Sequence, residues 1–168
     1  MDYGMIGKIE KAKYYAQERS RITFNSLAAD VDGDNSTYGL LLNAEGWQCN
    51  CAGFRAHGIC PHVMAMERLL RPMLKREPLP YAPGQNVVSD VEKAKRYSEE
   101  PDRIHVHALE VTFLGENSDH HTSYQNGRWS CDCSFFHSRG VCSHTMAMER
   151  ILGCMIPTTV PKTIVKEA

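Results

Sequence analysis

The pattern of apolar and polar positions predicts a helix near the start of the chain. Apolar residues recur there at intervals of three or four, so that they share one helical face. They are Ile6, Ile9, Ala12 and Ala16, and the lysines between them fall on the other faces. The spacing predicts a helix over residues 6–19.

Alternation between apolar and polar residues predicts strands further along. Residues 104–113 alternate with one slip in phase, which indicates a β-bulge. In the first half of the chain the alternation begins at Ile22 and is lost after Ser26. Turn residues separate these segments from further predicted strands over 37–43 and 119–125.

The two halves of the chain are copies of one another. A shift of 82 positions aligns residues 9–70 with residues 91–152 without a gap, and 25 of the 62 pairs are identical. Self-similarity of this kind indicates a tandem duplication. We therefore expect a first module over residues 1–70 and a second over residues 90–154.

The segment between the modules, residues 71–89, is predicted to be a semi-rigid linker because it contains four prolines and Gly84. Pro72 is expected to end the preceding helix. The ungapped duplication favours two modules packed through pseudo-twofold related surfaces, but such a linker could equally hold them apart. The tail, residues 155–168, has two prolines and no period, and we expect it to be disordered or folded back.

Each module contains the same four potential metal ligands, spaced Cys-x-Cys, eight residues, Cys-x-His. Residues i and i+2 of a strand point to one side, so each Cys-x-Cys offers two sulfurs to one point. A Cys-x-His at the start of a helix can supply the other two ligands, which completes a tetrahedral zinc site with no open position. One zinc ion is predicted in each module. The predicted ligands are Cys49, Cys51, Cys60 and His62 in the first, and Cys131, Cys133, Cys142 and His144 in the second.

Other histidines offer alternatives. His57 could replace His62 as a ligand, but the second module has Arg139 at that position and needs no such ligand, so we expect His57 to be a loop residue. Four more histidines could form an extra metal or pH-sensitive patch, although alternate outward positions on strands are the simpler interpretation. They are His105, His107, His120 and His121.

The ligand pattern, preceded by strands and a Trp and followed by a helix, resembles the SWIM-type zinc finger. The resemblance is strongest over residues 47–70 and 129–152. It implies a small zinc-stabilised β-β-α unit that acts in nucleic-acid binding or protein interaction. The ligands also resemble those of the CDGSH-type iron–sulfur proteins, which hold a [2Fe–2S] cluster. That family has three residues between its last Cys and the His, whereas one intervenes here, so zinc is preferred.

Composition and charge exclude some classes of function. The 168 residues carry a formal net charge of −1, which excludes a protein held on nucleic acid by bulk positive charge. No apolar run is long enough to span a membrane, and no export signal is recognisable, so a cytoplasmic, reducing location is expected. Seven cysteines, an odd number, disfavour a closed disulfide framework.

Phosphate binding would still be possible through a local basic patch, because it needs only several neutralising contacts. The candidate partner-binding residues are Lys11, Lys13, Arg55, Arg71, Lys75 and Arg76. A charged run of this kind is more often a solvated face.

The sequence therefore predicts an α+β fold of two tandem zinc-stabilised modules, each with a leading helix, a short antiparallel sheet and a C-terminal helix. The expected function is that of a non-enzymatic zinc-binding adaptor that contacts a protein partner, in the setting of a nucleic-acid-handling complex. Direct DNA or RNA binding is the alternative, and an iron–sulfur redox protein is a lower one. Both metal sites look saturated and no nucleophile–base pair is recognisable, so neither catalysis nor a small-molecule substrate is expected.

Overall fold

A computed structural model describes residues 3–115 and 117–157 of the chain. Three short 3₁₀ turns connect or follow its helices and strands, at Arg19–Arg21, Pro101–Arg103 and Gly153–Met155. The helices are α1 (Tyr3–Gln17), α2 (Ala52–His57), α3 (Pro61–Leu74), α4 (Val87–Glu99), α5 (Ser134–Arg139) and α6 (Ser143–Leu152). The strands are β1 (Ile22–Asp32), β2 (Thr37–Asn43), β3 (Gly46–Cys49), β4 (Ile104–Phe113), β5 (His120–Gln125) and β6 (Arg128–Cys131).

All six strands form one antiparallel sheet in the order β3-β2-β1-β4-β5-β6. The predicted α+β class is therefore confirmed. The strands do not form two separate short sheets, because β1 of the first repeat pairs with β4 of the second along nearly its full length. Of the two arrangements that the sequence left open, the structure has the repeats packed together.

The central strand pair shows the pseudo-twofold symmetry of the duplication. The register between β1 and β4 shifts twice, so that Asn25 and His107 each lack an opposite residue. These two positions are equivalent in the repeat alignment. The slip predicted in the second half is thus confirmed as a bulge. The expectation that alternation ends after Ser26 was wrong: the same bulge shifts the phase, and burial resumes at Leu27.

The helices cover one face of the sheet. The leading helices are exchanged between the repeats, since each packs against the C-terminal helix of the other repeat. Helix α1 of the first repeat packs against α6 of the second, and α4 of the second repeat packs against α3 of the first. Buried residues from both repeats form one large core cluster, with Phe24 and Phe113 at 1% exposure on equivalent central strands. The two halves therefore share their core.

Two equivalent arginines also form hydrogen bonds from one repeat to the other. Arg21 pairs with Glu18 at 2.7 Å and donates a hydrogen bond to the carbonyl oxygen of Leu114 at 3.1 Å. Arg103 makes the equivalent ion pair within its own turn and donates to the carbonyl oxygen of Asp32 at 3.0 Å. Each arginine thus fixes the turn before its own strand to the end of the other repeat's strand.

Helix α3 does not end at Pro72, and that prediction was wrong. The helix continues to Leu74, with the proline in its last turn. Proline there removes only one hydrogen bond near the helix end, while the next two side chains, Met73 and Leu74, are buried and hold the turn against the core. Lys75, in the left-handed conformation, ends the helix, and its ammonium donates to the carbonyl oxygen of Pro72.

The chain from residue 75 to residue 86 lies against α3, and we call this segment the strap. The backbone N–H of Leu79 donates to a carboxylate oxygen of Glu67 at 2.9 Å. Gln85, which is buried, accepts from the N–H of Ala82 and donates to Asp90 of α4. These contacts hold the strap between α3 and α4.

The start of the tail belongs to the core, because Met155 and Ile156 are buried. The rest of the predicted tail, residues 158–168, lies outside the described residues. Within the described part of the chain, no helix has the length and apolar character required to cross a membrane.

Candidate metal centres

The four predicted ligands of each repeat are delivered by three successive elements. Cys49 is the last residue of β3, and Cys51 caps the N-terminus of α2, a short helix in the eight-residue loop that the sequence did not predict. Cys60 caps α3, and His62 lies in its first turn. The second repeat places its ligands identically on β6, α5 and α6.

The ligand atoms of each repeat converge on one point. In both groups the sulfurs and the imidazole nitrogen all lie within 4.8 Å of one another, and all four residues are buried. The His62 Nδ1 lies 3.7 Å from the Cys49 Sγ, and the His144 Nδ1 lies 3.5 Å and 3.7 Å from the Sγ atoms of Cys131 and Cys142. A tetrahedron with Zn–S near 2.3 Å and Zn–N near 2.0–2.1 Å has sulfur–nitrogen edges of about 3.6 Å. The donor set and its spacing fit zinc.

Backbone N–H groups from the helices that follow point at the sulfurs. The N–H of Phe54 donates to Cys51 Sγ at 3.4 Å, and that of Val63 to Cys60 Sγ at 3.5 Å. In the second repeat the N–H of Thr145 donates to Cys142 Sγ at 3.4 Å. Donors at a helix N-terminus favour the thiolate form, which is the form that binds metal.

Hydrogen bonds link the thiols of each group electrostatically. The hydrogen bond with Cys60 lowers the pKa of Cys49 to about 4, and the same contact raises the pKa of Cys60. In the second repeat the hydrogen bond with Cys142 lowers the pKa of Cys131 to about 3 and raises that of Cys142. In each group this contact favours the thiolate form of one sulfur, the form that binds metal.

Each ligating histidine is packed by a tyrosine from the other repeat. Tyr97 of α4 stacks on His62, with ring centroids 5.6 Å apart and planes 7° apart. Tyr15 of α1 stacks on His144, at 5.6 Å and 15°. The sequence interpretation missed these residues. The sequence could have indicated them. Both tyrosines occupy the same position in the repeat, and each shares a helical face with an alanine that is identical in the two copies, Ala12 or Ala94.

A third ring at each centre differs between the repeats. Tyr38 lies 4.6 Å from the ring of His62, whereas the equivalent His120 lies 4.9 Å from the ring of His144. His120 Nδ1 is 3.1 Å from a carboxylate oxygen of Asp132. Phe113 adds a further ring at 4.8 Å from that of His144, where the first repeat has Val31, so the surroundings of the two centres differ in packing and in polarity.

The other histidines do not join a metal group. His57 ends α2 and is not among the ligands, as expected. His105 and His107 project from β4 and contact Asp32 and Asp30, at 3.0 Å and 2.8 Å. In residues 3–115 and 117–157, the two Cys₃His sets are the only clusters of three or more metal-ligating side chains.

The six basic residues proposed for partner binding lie on different parts of the molecule. Lys11 is on α1, its ammonium 5.6 Å from the ring centre of Tyr15, so it lies beside the second metal centre. Lys13, also on α1, pairs with Glu10. Arg55 is exposed on α2.

The remaining three follow one another at the end of α3. Arg71 is in its last turn, next to Glu67. The ammonium of Lys75 donates to two backbone carbonyl oxygens, those of Pro72 and Ser20, and is thus occupied in capping the helix. Arg76 begins the strap and donates to the carbonyl oxygen of Asn43 at 3.4 Å.

The family model of the SWIM zinc finger matches the chain twice, over residues 30–70 and 111–152. Each match contains one complete Cys₃His group. The chain thus carries two SWIM zinc-finger modules in tandem, whose sites fit two zinc ions. SWIM zinc fingers are generally non-catalytic zinc-binding modules. No curated protein and no solved structure matches the chain.

Proposed function

We propose that this protein is a non-enzymatic adaptor that uses two zinc-stabilised SWIM modules to present a rigid surface to a protein partner. One observation carries the proposal: each metal group has four buried protein ligands. A zinc ion held by four protein ligands has no open position for a substrate or a reactive water, so its contribution is structural. The function then belongs to the surface that the two centres hold in place.

Charge favours a protein partner over nucleic acid. The chain has a formal net charge of −1. Each filled site adds two positive charges and ionises three thiols, which makes the zinc-loaded protein more negative still. Retention of zinc thiolates suits a reducing compartment, and we propose a cytoplasmic location.

Direct nucleic-acid binding is the second candidate, and the basic residues near the end of α3 favour it. Arg71 and Arg76 have no described carboxylate within salt-bridge distance, although Lys75 is used as a helix cap. As part of a nucleic-acid-handling complex, the adaptor would need only weak contacts of this kind.

Nucleic-acid titrations at several salt concentrations distinguish the adaptor function from direct nucleic-acid binding. The zinc-loaded protein is titrated into fluorescein-labelled single- and double-stranded DNA and RNA at 20–200 mM salt. We expect no saturable binding at the upper end. A steep loss of affinity with salt, made shallower by Arg71→Gln and Arg76→Gln, would replace the adaptor with a nucleic-acid-binding protein.

The adaptor itself is tested by reconstitution. A protein recovered with the tagged, zinc-loaded chain is purified separately and recombined, and the complex is sized by light scattering. We expect a stoichiometric complex that survives nuclease treatment. Loss of the complex on nuclease treatment would show that nucleic acid, not protein contact, joins the two.

A further inference from the structure

A cavity of about 560 Å³ lies between α3, α4 and the strap, and we call it the strap groove. Its floor is apolar and comes from all three elements. The apolar residues that line it include Ile59, Met64, Leu74, Leu79, Val91 and Ala94. A cavity of this size accommodates a few amino-acid residues or a small ligand.

Three arginines, Arg68, Arg71 and Arg76, surround the strap groove. Arg68 donates to the hydroxyl of Ser98 at 3.4 Å, and Arg76 donates to a backbone carbonyl oxygen. In the described part of the chain, no carboxylate lies within salt-bridge distance of any of them. Three guanidinium groups around an apolar floor therefore retain unused capacity to bind anions.

One carboxylate, that of Glu67, also faces the strap groove, and it is already engaged. It accepts the N–H of Leu79 at 2.9 Å, which fixes the strap on α3. Burial raises the pKa of this carboxylate. The three arginines thus outnumber the single acidic group that lines the groove.

The second repeat supplies a comparison. Its equivalent surface, between α1 and α6, keeps Arg150 in place of Arg68 but has Gly153 in place of Arg71. The positions equivalent to Met64, Val91 and Ala94 are Met146, Ile9 and Ala12, so the apolar character recurs, but Thr158 stands in place of Arg76. The combination of apolar floor and arginine rim therefore belongs to the first repeat.

We propose that the strap groove binds a short acidic segment of a protein partner, in which one large apolar side chain is flanked by aspartates or glutamates. The apolar side chain would occupy the cavity, and the flanking carboxylates would pair with the guanidinium groups, whose geometry suits bidentate pairing. A nucleic-acid backbone would satisfy the arginines but leave the apolar floor unfilled. This inference rests on the adaptor function and names its recognition site.

The probe is a fluorescein-labelled five-residue peptide with a central Leu and two Glu on each side, and its binding to the zinc-loaded protein is measured by fluorescence anisotropy. We expect saturable binding that falls at least tenfold with Arg71→Glu and with Arg76→Glu. The matched control Arg150→Glu, at the equivalent of Arg68, is expected to change affinity less than twofold. A peptide with central Ala is expected to bind at least fivefold more weakly.

A steric variant tests the cavity without altering charge. Val91→Phe should fill the strap groove and abolish peptide binding, while zinc content and circular dichroism stay as in the wild type. Peptide binding that survives Val91→Phe would overturn the proposed site, as would an Arg150→Glu effect equal to that of Arg71→Glu. If a reconstituted partner still binds the Arg71→Glu protein with wild-type affinity, the adaptor function stands and the strap groove is not its recognition site.

Discussion

At the scale of single residues, backbone N–H groups and aromatic rings surround the two Cys₃His groups. Helix N-termini direct N–H groups at the sulfurs, and an aromatic ring stacks on each histidine. The ligands of both groups are buried. In such small modules the free energy of metal binding is also free energy of folding.

Replacing one ligand should remove one zinc ion. Cys133→Ser is expected to reduce zinc from two ions to about one per chain, because oxygen from serine cannot replace a thiolate in this set. The matched control is Cys154→Ser, since Cys154 is exposed and lies outside both groups. Elemental analysis of the purified proteins provides the measurement. Equal zinc content in the two variants would contradict the ligand assignment.

Glu149 is expected to destabilise the fold at neutral pH. Burial raises its pKa, and no described group donates a hydrogen bond to its carboxylate. Its favourable contribution is present below the pKa of the unfolded chain and is lost as the pH rises through the folded value. Glu149→Gln should therefore raise the Tm by about 1–3 °C at pH 7.5. The gain should shrink towards pH 5.

Thermal unfolding followed by circular dichroism at the two pH values checks this result. The control is Glu67→Gln, at the equivalent position, whose carboxylate accepts the N–H of Leu79. That substitution weakens a charge-assisted hydrogen bond, so its gain should be smaller or negative. A Glu149→Gln gain that is the same at both pH values would exclude burial of the charge as its cause.

At the scale of the elements, the leading helix of each repeat serves the metal centre of the other. The residues of α1 and α4 that face inward are few, Ala12 and Tyr15 in one and Ala94 and Tyr97 in the other. In each helix one of these buried residues is the tyrosine that covers a histidine ligand of the other repeat. Loss of that contact should affect the metal centre of the opposite repeat.

Tyr97→Ala is expected to loosen the first metal centre, although Tyr97 belongs to the second repeat. Truncation of a buried aromatic residue costs about 3 kcal/mol, and here it uncovers His62. Zinc transfer to a chromogenic chelator should become biphasic, with one of the two ions released faster. In a Cys133→Ser background, which retains only the first centre, all of the zinc should be released fast.

The equivalent substitution provides the comparison. Tyr15→Ala should accelerate release from the second centre, so its fast phase should disappear in the Cys133→Ser background. Tyr3→Ala, at an exposed position of α1, should leave both rates unchanged. If Tyr97→Ala instead accelerated zinc release from the second centre, the result would contradict the packing of each leading helix against the other repeat.

At the scale of the whole molecule, the sheet makes one cooperative unit of the two modules. β1 and β4 pair at its centre, and the core is continuous across them. Separation of the halves would expose that central strand edge and remove each leading helix from its partner. Two modules joined by a free linker would show neither effect.

Cleavage of the strap should therefore leave the protein assembled. With a protease site inserted between Pro83 and Gly84, the fragments are expected to co-elute in gel filtration after cleavage at neutral pH. Expressed alone, residues 1–83 are expected to lack a cooperative thermal transition or to form dimers through the exposed β1 edge. Two folded monomeric fragments would contradict a shared core.

Prediction from sequence worked best where chemistry or periodicity was local. All eight ligands followed from spacing and duplication, and the bulge in β4 followed from the slip in alternation. The end of α3 was misjudged, because burial of Met73 and Leu74 outweighs the local preference of Pro72. The continuation of β1 was missed because its bulge hid the alternation, although the second repeat showed the same slip.

The sequence by itself determined the duplication, most of the strands and the longer helices of each repeat, and the residues that form the two Cys₃His groups. These depend on spacings of a few residues, which backbone geometry converts directly into shared faces and convergent side chains. Only the tertiary structure decided that the sheet is continuous, that the leading helices are exchanged and that the strap encloses a basic, apolar groove. The reason is physical: the same apolar faces could have been buried within a repeat or across repeats, and the contacts between distant segments select one of them.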